Sequence, residues 1–269
     1  MHKPRIIITR PEPEASRWAS SLAALGVEAI ALPLIEITPL TNTGLDAARR
    51  DATVFDALMF VSPAAVNAFF SQPVASSGEQ RFLATGPGTV RALRNHGVAE
   101  SAIDAPPPDA PQFDSESLWQ VVRTRTWQGK RVLIVRGQSA ASAAPPEAAN
   151  GQAPAKRHQG SGRDWLTRQL QAAGAMVELV AAYQRGLPRW PGAQQASAAQ
   201  AASDGSIWVF SSSEAVLHLA QLMPQGAWHK VPCICTHERI AQATQALGFA
   251  RIQICKPSLD ALAALCHAQ

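Results

Sequence analysis

One pattern occurs twice in this chain. Phe60-Val61-Ser62-Pro63-Ala64-Ala65-Val66 returns as Phe210-Ser211-Ser212-Ser213-Glu214-Ala215-Val216. In each copy an apolar run of strand type ends in a hydroxyl residue, and a helical run with an Ala-Val pair follows. A strand that feeds a helix through Ser gathers free backbone N–H groups and a hydroxyl at one point, an arrangement that suits an anion. Ser62 and Ser212 serve equally well as plain helix N-caps, and the motif alone leaves both roles open.

The repeat extends beyond the motif. Phe82-Leu83-Ala84-Thr85-Gly86-Pro87-Gly88-Thr89-Val90-Arg91 precedes His96-Gly97-Val98, and Cys233-Ile234-Cys235-Thr236-His237-Glu238-Arg239-Ile240 precedes Leu247-Gly248-Phe249. Both read strand, short polar turn, helix, Gly, strand. One α/β unit used twice predicts two similar domains facing each other across a cleft.

At 269 residues and 46% hydrophobic content the chain can build two cores. Its four cysteines, Cys233, Cys235, Cys255 and Cys266, all fall late and form no disulfide framework, so a reducing cytoplasm is expected. Ile6-Ile7-Ile8 is too short for a signal peptide, and no run reaches the ~18 apolar residues of a membrane helix. A net charge of +4 favours an anionic ligand, but no basic stripe interleaved with aromatics marks a nucleic-acid surface.

Taken in order, Arg5 to Thr9 reads as a strand turned by Arg10-Pro11. Glu14 to Leu25 has helical spacing, with Trp18, Leu22 and Leu25 on one face, and Gly26 stops it. Val27 to Leu32 is the next strand, and Pro33 to Pro39 continues extended. The turn at Arg10 falls where open α/β sheets bind ligands, so Arg10 either meets an anion or is a solvated turn residue. Leu45 to Ala52 is helical and Glu100 to Ile103 a short strand. Asp114-Ser115-Glu116-Ser117 opens a capped helix. Arg131 to Val135 is an apolar strand ending in Arg136-Gly137, again a possible anion-facing turn. Residues 139–161 are low in complexity, and a disordered surface loop is expected there; Lys156-Arg157-His158 within it is either solvated or a partner contact. Asp164 to Ala173 is a helix ended by Gly174. Met176 to Tyr183 is a strand that Gln184-Arg185 leaves. Tyr183, the single tyrosine, is either a buried ring with a satisfied hydroxyl or a proton donor facing a cleft.

Only one βα unit precedes the first copy of the repeat, and little follows the second. The economical arrangement joins the N-terminal piece to the C-terminal copy. Residues 1–36 and 187–269 then form one discontinuous domain, with 37–186 inserted into it as the other.

Several familiar constellations fail. Cys233-x-Cys235-x-His237 supplies too few convergent ligands for zinc, so the cysteines are read as core and no metal is expected. No G-x-S-x-G elbow and no P-loop lysine occurs. Gly86-x-Gly88 lacks the third glycine and the acidic partner of a dinucleotide site. No cofactor is implied.

The ordered set Ile8-Thr9-Arg10-Pro11, Ala31-Leu32-Pro33-Leu34-Ile35, Phe60-Val61-Ser62-Pro63-Ala64-Ala65-Val66, Gly86-Pro87-Gly88-Thr89, Asp114-Ser115-Glu116-Ser117-Leu118, Leu133-Ile134-Val135-Arg136-Gly137, Gly162-Arg163-Asp164-Trp165-Leu166, Gly174-Ala175 and Tyr183-Gln184-Arg185, followed by the Ser212 segment, resembles the uroporphyrinogen-III synthase family. The resemblance spans nearly the whole chain. It implies two flavodoxin-like, parallel-sheet α/β domains joined by a two-stranded linker, one of them discontinuous. It also implies a cofactor-free lyase of haem biosynthesis. Such an enzyme cyclises hydroxymethylbilane with loss of water and inverts ring D to give uroporphyrinogen III.

On this resemblance Tyr183 is the acid that helps hydroxide leave, and Ser62, Thr89 and Ser212 match family positions at the domain cleft; with Arg10, Gly86, Gly88, Arg136 and Thr236 they are the residues expected to bind the polycarboxylate substrate. The two glycines would let backbone approach a carboxylate. Residues 139–161 are an insertion relative to the family pattern. The protein is expected to be a cytoplasmic monomer with no membrane or nucleic-acid partner. A rival of another class is a non-catalytic two-domain cytoplasmic binder or sensor of an anionic small molecule.

Overall fold

The computed structural model describes residues 4–140 and 161–267. The expected loop at 139–161 and its Lys156-Arg157-His158 triplet therefore lie almost wholly outside the described residues. The chain divides into two compact units, one of residues 1–37 with 186–269 and one of residues 38–185.

The first unit starts with β1 (Ile6–Ile8), α1 (Glu14–Ala24) and β2 (Ala29–Ala31). Gly26 follows α1 at φ 76°, a left-handed conformation that costs glycine little and so ends the helix. The chain then leaves along β3 (Glu36–Pro39).

The second unit runs α2 (Thr43–Arg50), β4 (Ala57–Phe60), α3 (Pro63–Phe69), β5 (Arg81–Ala84), α4 (Pro87–Asn95), β6 (Ile103–Asp104), α5 (Ser115–Val122), β7 (Arg131–Ser139), α6 (Ser161–Ala172) and β8 (Met176–Gly186). The chain re-enters the first unit with α7 (Gly192–Ala201), β9 (Ile207–Phe210), α8 (Ser213–Leu222), β10 (Pro232–Cys235), α9 (Glu238–Leu247), β11 (Arg251–Ile254) and α10 (Leu259–His267).

The first unit's sheet has the order β11-β10-β9-β1-β2, and every pair in it is parallel. Renumbered within the unit this is the flavodoxin order, doubly wound, with its switch point between β9 and β1. Strand residues alternate between two cores, as a sheet covered on both faces requires. Ile7, Trp208, Phe210, Cys233 and Cys235 enter one core with Val216 and Leu219 of α8 and Ile240 of α9. Ile6, Ile8, Ile207, Val209 and Ile234 enter the other with Trp18 and Leu22 of α1 and Leu262 of α10. Cys233 and Cys235 are thus core residues that share a face.

The second unit's sheet reads β3-β8-β7-β4-β5-β6. Its β4–β5, β4–β7, β5–β6 and β7–β8 pairs are parallel. Ala57, Met59, Val132 and Ile134 face α5 and α6 through Leu118, Val122, Leu166 and Leu170.

Spatially β6-β5-β4-β7-β8 repeats β11-β10-β9-β1-β2. The second unit enters this arrangement at the strand matching β9, and the whole chain enters it at β1. The two units are circular permutants, so β7 is the counterpart of β1 and β8 of β2. The repeat apparent in the sequence covers three of the five strands, and the permutation hides the other two.

Three expectations need correction. Arg136-Gly137 is not a turn: β7 continues to Ser139, because β8 also continues to Gly186 and pairs with it, Gly137 opposite Tyr183 and Ser139 opposite Arg185. By the same pairing Gln184-Arg185 does not leave the strand. Glu100–Ala102 is a single 3-10 turn, and only Ile103–Asp104 pairs as strand.

Candidate active site

In the second unit the strand order reverses between β4 and β7, and crevices at such reversals are where doubly wound sheets take ligands. The carboxyl end of β4 delivers Ser62. Its backbone is extended and its Oγ accepts from the Ala65 N–H at 3.2 Å, so it caps α3, with Pro63 in the first turn, where a missing N–H costs nothing. The carboxyl end of β7 delivers the half-buried Arg136 and the buried Gly137.

β8 contributes Tyr183. The β7–β8 register slips between Arg136 and Gly137: Arg136 lies opposite Ala181, and Gly137 lies opposite Tyr183. The extra residue on β8 is a bulge, which breaks the alternation, so Ala182 and Tyr183 are both buried. The Tyr183 ring is 3% exposed, and its hydroxyl lies 2.9 Å from Ser62 Oγ in a hydrogen bond that either group can donate. The ring is buried and its hydroxyl bonded, which leaves its part in proton transfer to be argued from chemistry. One contact does not exhaust a phenol, which donates one hydrogen bond and can accept others.

α4 begins beside this pair. Gly86 is its N-cap, at φ −171° and ψ 172°, extended backbone that any residue adopts. A Cβ on Gly86 would lie 3.2 Å from Phe113 Cβ, and one on Gly88 would lie 3.4 Å from Pro63 Cγ. The close approach at both glycines is therefore to protein side chains. Thr89, in the first turn of α4, is buried. The structure thus gathers Ser62 with Tyr183, and Gly88 with the residue that follows Ser62.

The first unit carries the remaining candidates at its own switch point. Buried Thr9 directly follows β1 and donates from Oγ1 to Val209 O at 2.7 Å, pinning β1 to β9. Arg10 follows it half-buried, with its guanidinium 4.4 Å from the Trp18 ring centroid, so it is held by cation–π stacking rather than left as a solvated turn residue. Ser212 caps α8, accepting from the Glu214 N–H at 3.2 Å. Thr236 is buried after β10, its N–H bonded to Phe210 O at 3.1 Å. His237 caps α9 by accepting the Arg239 N–H at Nδ1.

The permutation makes Arg10 and Arg136 counterparts, each just beyond the last apolar residue of the strand flanking the switch point. The sequence signal for this was an apolar run ending in Arg-Pro or Arg-Gly, legible once β1 is compared with β7. Sequence reasoning missed the seat that Gly137 makes for Tyr183. A Cβ there would collide with Cε2 and Cζ of the Tyr183 ring and fall 2.8 Å from Arg185 Nη1.

Among the described residues no three His, Cys, Asp or Glu side chains converge on a metal-sized site. Burial and the neighbouring Arg81 and Arg125 oppose each other at Asp104. The guanidiniums prevail and hold its carboxyl below the usual carboxylate range; Arg81 opens β5, Arg125 precedes β7 and Asp104 ends the two-residue β6.

The fold and these positions define a class: a protein of two doubly wound α/β units that present hydroxyls, arginines and capped helix N-termini at the carboxyl ends of parallel strands. The chain belongs to the uroporphyrinogen-III synthase family, whose model, described as uroporphyrinogen-III synthase HemD, matches residues 16–157 and 158–264. It is 29% identical over 260 residues to the uroporphyrinogen-III synthase of Salmonella typhimurium (strain LT2), a match covering 93% of this chain and 94% of that protein. Among solved structures it resembles the uroporphyrinogen-III synthetase of Helicobacter pylori 26695, with TM-score 0.55 and 18% identity over 99% of both chains. A uroporphyrinogen III synthase variant from Thermus thermophilus matches with TM-score 0.53 and 14% identity over 98% of both. At these identities the structural likeness speaks to the fold. Among the described residues no helix is long and apolar enough to cross a membrane.

Proposed function

We propose that this protein is a uroporphyrinogen-III synthase: it cyclises hydroxymethylbilane with loss of water and inversion of ring D. The observation that carries the reading is the family match across nearly the whole chain. The chemistry asks little of covalent catalysis. The pyrrole stabilises the cation left when the hydroxymethyl oxygen departs, and without guidance closure occurs at the wrong carbon. The protein's main task is to hold the linear tetrapyrrole in one folded pose.

In this reading Tyr183 is the acid. Ser62 donates its hydroxyl proton to the phenol oxygen, which leaves the phenolic proton directed at the leaving group. The C–O bond breaks with both electrons on oxygen, that oxygen takes the phenolic proton and departs as water, and the phenolate recovers a proton from the closing pyrrole. Ser62 caps α3 and bonds Tyr183 at once, which supports its assignment. Arg10, Gly86, Gly88, Thr89, Arg136, Ser212 and Thr236 bind substrate carboxylates. Helix N-termini and guanidiniums at both switch points favour negative charge there.

The four free cysteines support a reducing, cytoplasmic setting, and we take the protein to act as a monomer, which gel filtration tests. The activity is tested by generating hydroxymethylbilane in situ, adding the protein, oxidising, and separating uroporphyrins I and III. Predominant isomer III is expected. Isomer I alone, from folded protein, would refute the reading and leave a non-catalytic anion binder.

A further inference from the structure

We infer that Gly137 is a positioning residue for the Tyr183 hydroxyl, and that the β-bulge opposite it exists to seat the phenol against Ser62. The inference rests on Tyr183 being the acid. Up to Arg136 the β7–β8 ladder is regular, with Val135 opposite Val180 and Arg136 opposite Ala181. Without the bulge Gly137 would face Ala182. With it, Gly137 faces Tyr183, and the ring enters the space where a side chain at position 137 would stand.

The fit is tight on three sides. The ring is 3% exposed, its edge lies where the Gly137 Cβ would be, and its oxygen meets Ser62 Oγ at 2.9 Å. Ser62 is itself fixed as the cap of α3. The phenol oxygen thus has one place to be, set by a bulge on its own strand, a missing side chain on the next and a capping hydroxyl on the one beyond. A bulge that re-aims one side chain is a recurrent device beside reacting groups, and displacements of about 1 Å there can cost a hundredfold in rate. Adding one methyl at Gly137 pushes on the ring itself rather than on the free end of a long flexible chain, so the hydroxyl moves with it.

The test is a cycle of Gly137→Ala, Tyr183→Phe and the double variant, each scored for the rate of isomer III formation and for thermal midpoint. Gly137→Ala should slow the reaction at least about tenfold in the wild-type background. In the Tyr183→Phe background, where no hydroxyl remains to misplace, it should slow it less than about twofold. Its effect on the midpoint should be larger in the wild-type background, where the displaced hydroxyl also loses its bond to Ser62, than in the Tyr183→Phe background, where only the ring is pushed. Equal rate losses in the two backgrounds would overturn the positioning role.

Because the chain has a single tyrosine, carbon-13 tyrosine labelling gives one Cζ resonance. It should move in Gly137→Ala and in Ser62→Ala, and an unmoved resonance in Gly137→Ala would overturn the seat. If Gly137→Ala does not fold, adding Tyr183→Ala, which removes the colliding ring, must restore folding, and failure to do so would also overturn it. A failed premise shows earlier: wild type yielding only isomer I defeats the proposed activity, and Tyr183→Phe as fast as wild type defeats the acid, both before Gly137 is changed.

Discussion

Ser62 and Ser212 are the same residue of a repeat, yet Ser62→Ala should cost far more stability than Ser212→Ala. Both lose an N-cap bond of 3.2 Å, to the Ala65 and Glu214 N–H groups respectively. Loss of such a cap costs about 1 kcal/mol. Ser62 carries a second duty, because its Oγ is bonded to the hydroxyl of a tyrosine only 3% exposed. Alanine at 62 strands that hydroxyl, and an unsatisfied buried polar group costs about 1–3 kcal/mol more. The two variants should therefore differ by about 2 kcal/mol, roughly 4–8 °C in midpoint for a unit of this size. Tyr183→Phe should cancel most of the excess in the Ser62→Ala background, since no hydroxyl is left to strand, and should do nothing for Ser212→Ala. Urea and thermal unfolding of the six proteins, wild type, three single variants and two doubles, measure this. Equal losses at the two serines, or an excess that survives Tyr183→Phe, would refute the assignment of the Ser62–Tyr183 bond as a stability contact.

Tyr183→Phe alone should slow isomer III formation about 10²-fold, the low end for a general acid because the leaving group departs readily, with an unchanged far-UV spectrum. Asp104 should contribute to acid stability: its folded carboxyl is held below its ordinary value by Arg81 and Arg125 against the pull of burial, so its stabilisation is present above the unfolded pKa of about 4 and lost as pH falls through the folded value. Asp104→Asn should flatten the stability–pH curve below about pH 4 and lower stability at pH 7, where two guanidiniums lose their carboxylate, as urea titrations across pH will show. Burial pushes the Cys255 thiol up to about 11, so native alkylation by iodoacetamide at pH 8 should run about 100-fold below that of the unfolded chain and recover on denaturation, followed by mass spectrometry.

Local chemistry was legible wherever one residue type settles a local question. Gly26 and Gly174 were recognised as helix stops, and both take positive φ, 76° and 92°. Alternation placed Cys233 and Cys235 on one face, and both are in one core. Asp114 was read as opening a capped helix, and it accepts the Ser117 N–H. What stayed hidden depends on neighbours distant in sequence. Arg136-Gly137 looks like a turn, since nothing near it announces that β8 runs alongside for another four residues. The bulge leaves no compositional mark, because Ala181-Ala182 is as ordinary at a bulge as in a regular strand. That Phe113 and Pro63 are the side chains a Cβ at Gly86 or Gly88 would meet first was equally hidden, because both lie outside the glycine motif.

The permutation sharpens the difference between the units. Counting from the equivalent pairs Ile8–Ala31 and Ile134–Leu179, the fourth residue onward on the outer strand is Ile35 in one unit and Tyr183 in the other. Both are buried. Ile35 sits in the apolar core. Tyr183 sits on a bulge with its oxygen on the capping serine. Each unit keeps an arginine at the end of one switch-point strand and a serine-capped helix at the end of the other, which is what holding an anion requires. The second unit alone carries a phenol at this position, the chain's single tyrosine, which the proposed function makes the acid. On the proposed function, an arrangement duplicated for binding and differentiated at one position for chemistry predicts an asymmetry in mutant kinetics. Arg10→Ala should raise KM with little change in kcat, whereas Tyr183→Phe should lower kcat with little change in KM, because carboxylate contacts form before and after the bond breaks and the proton transfer only during it. A matching fall in kcat for Arg10→Ala would assign the first unit a part in the chemical step and defeat this division of roles.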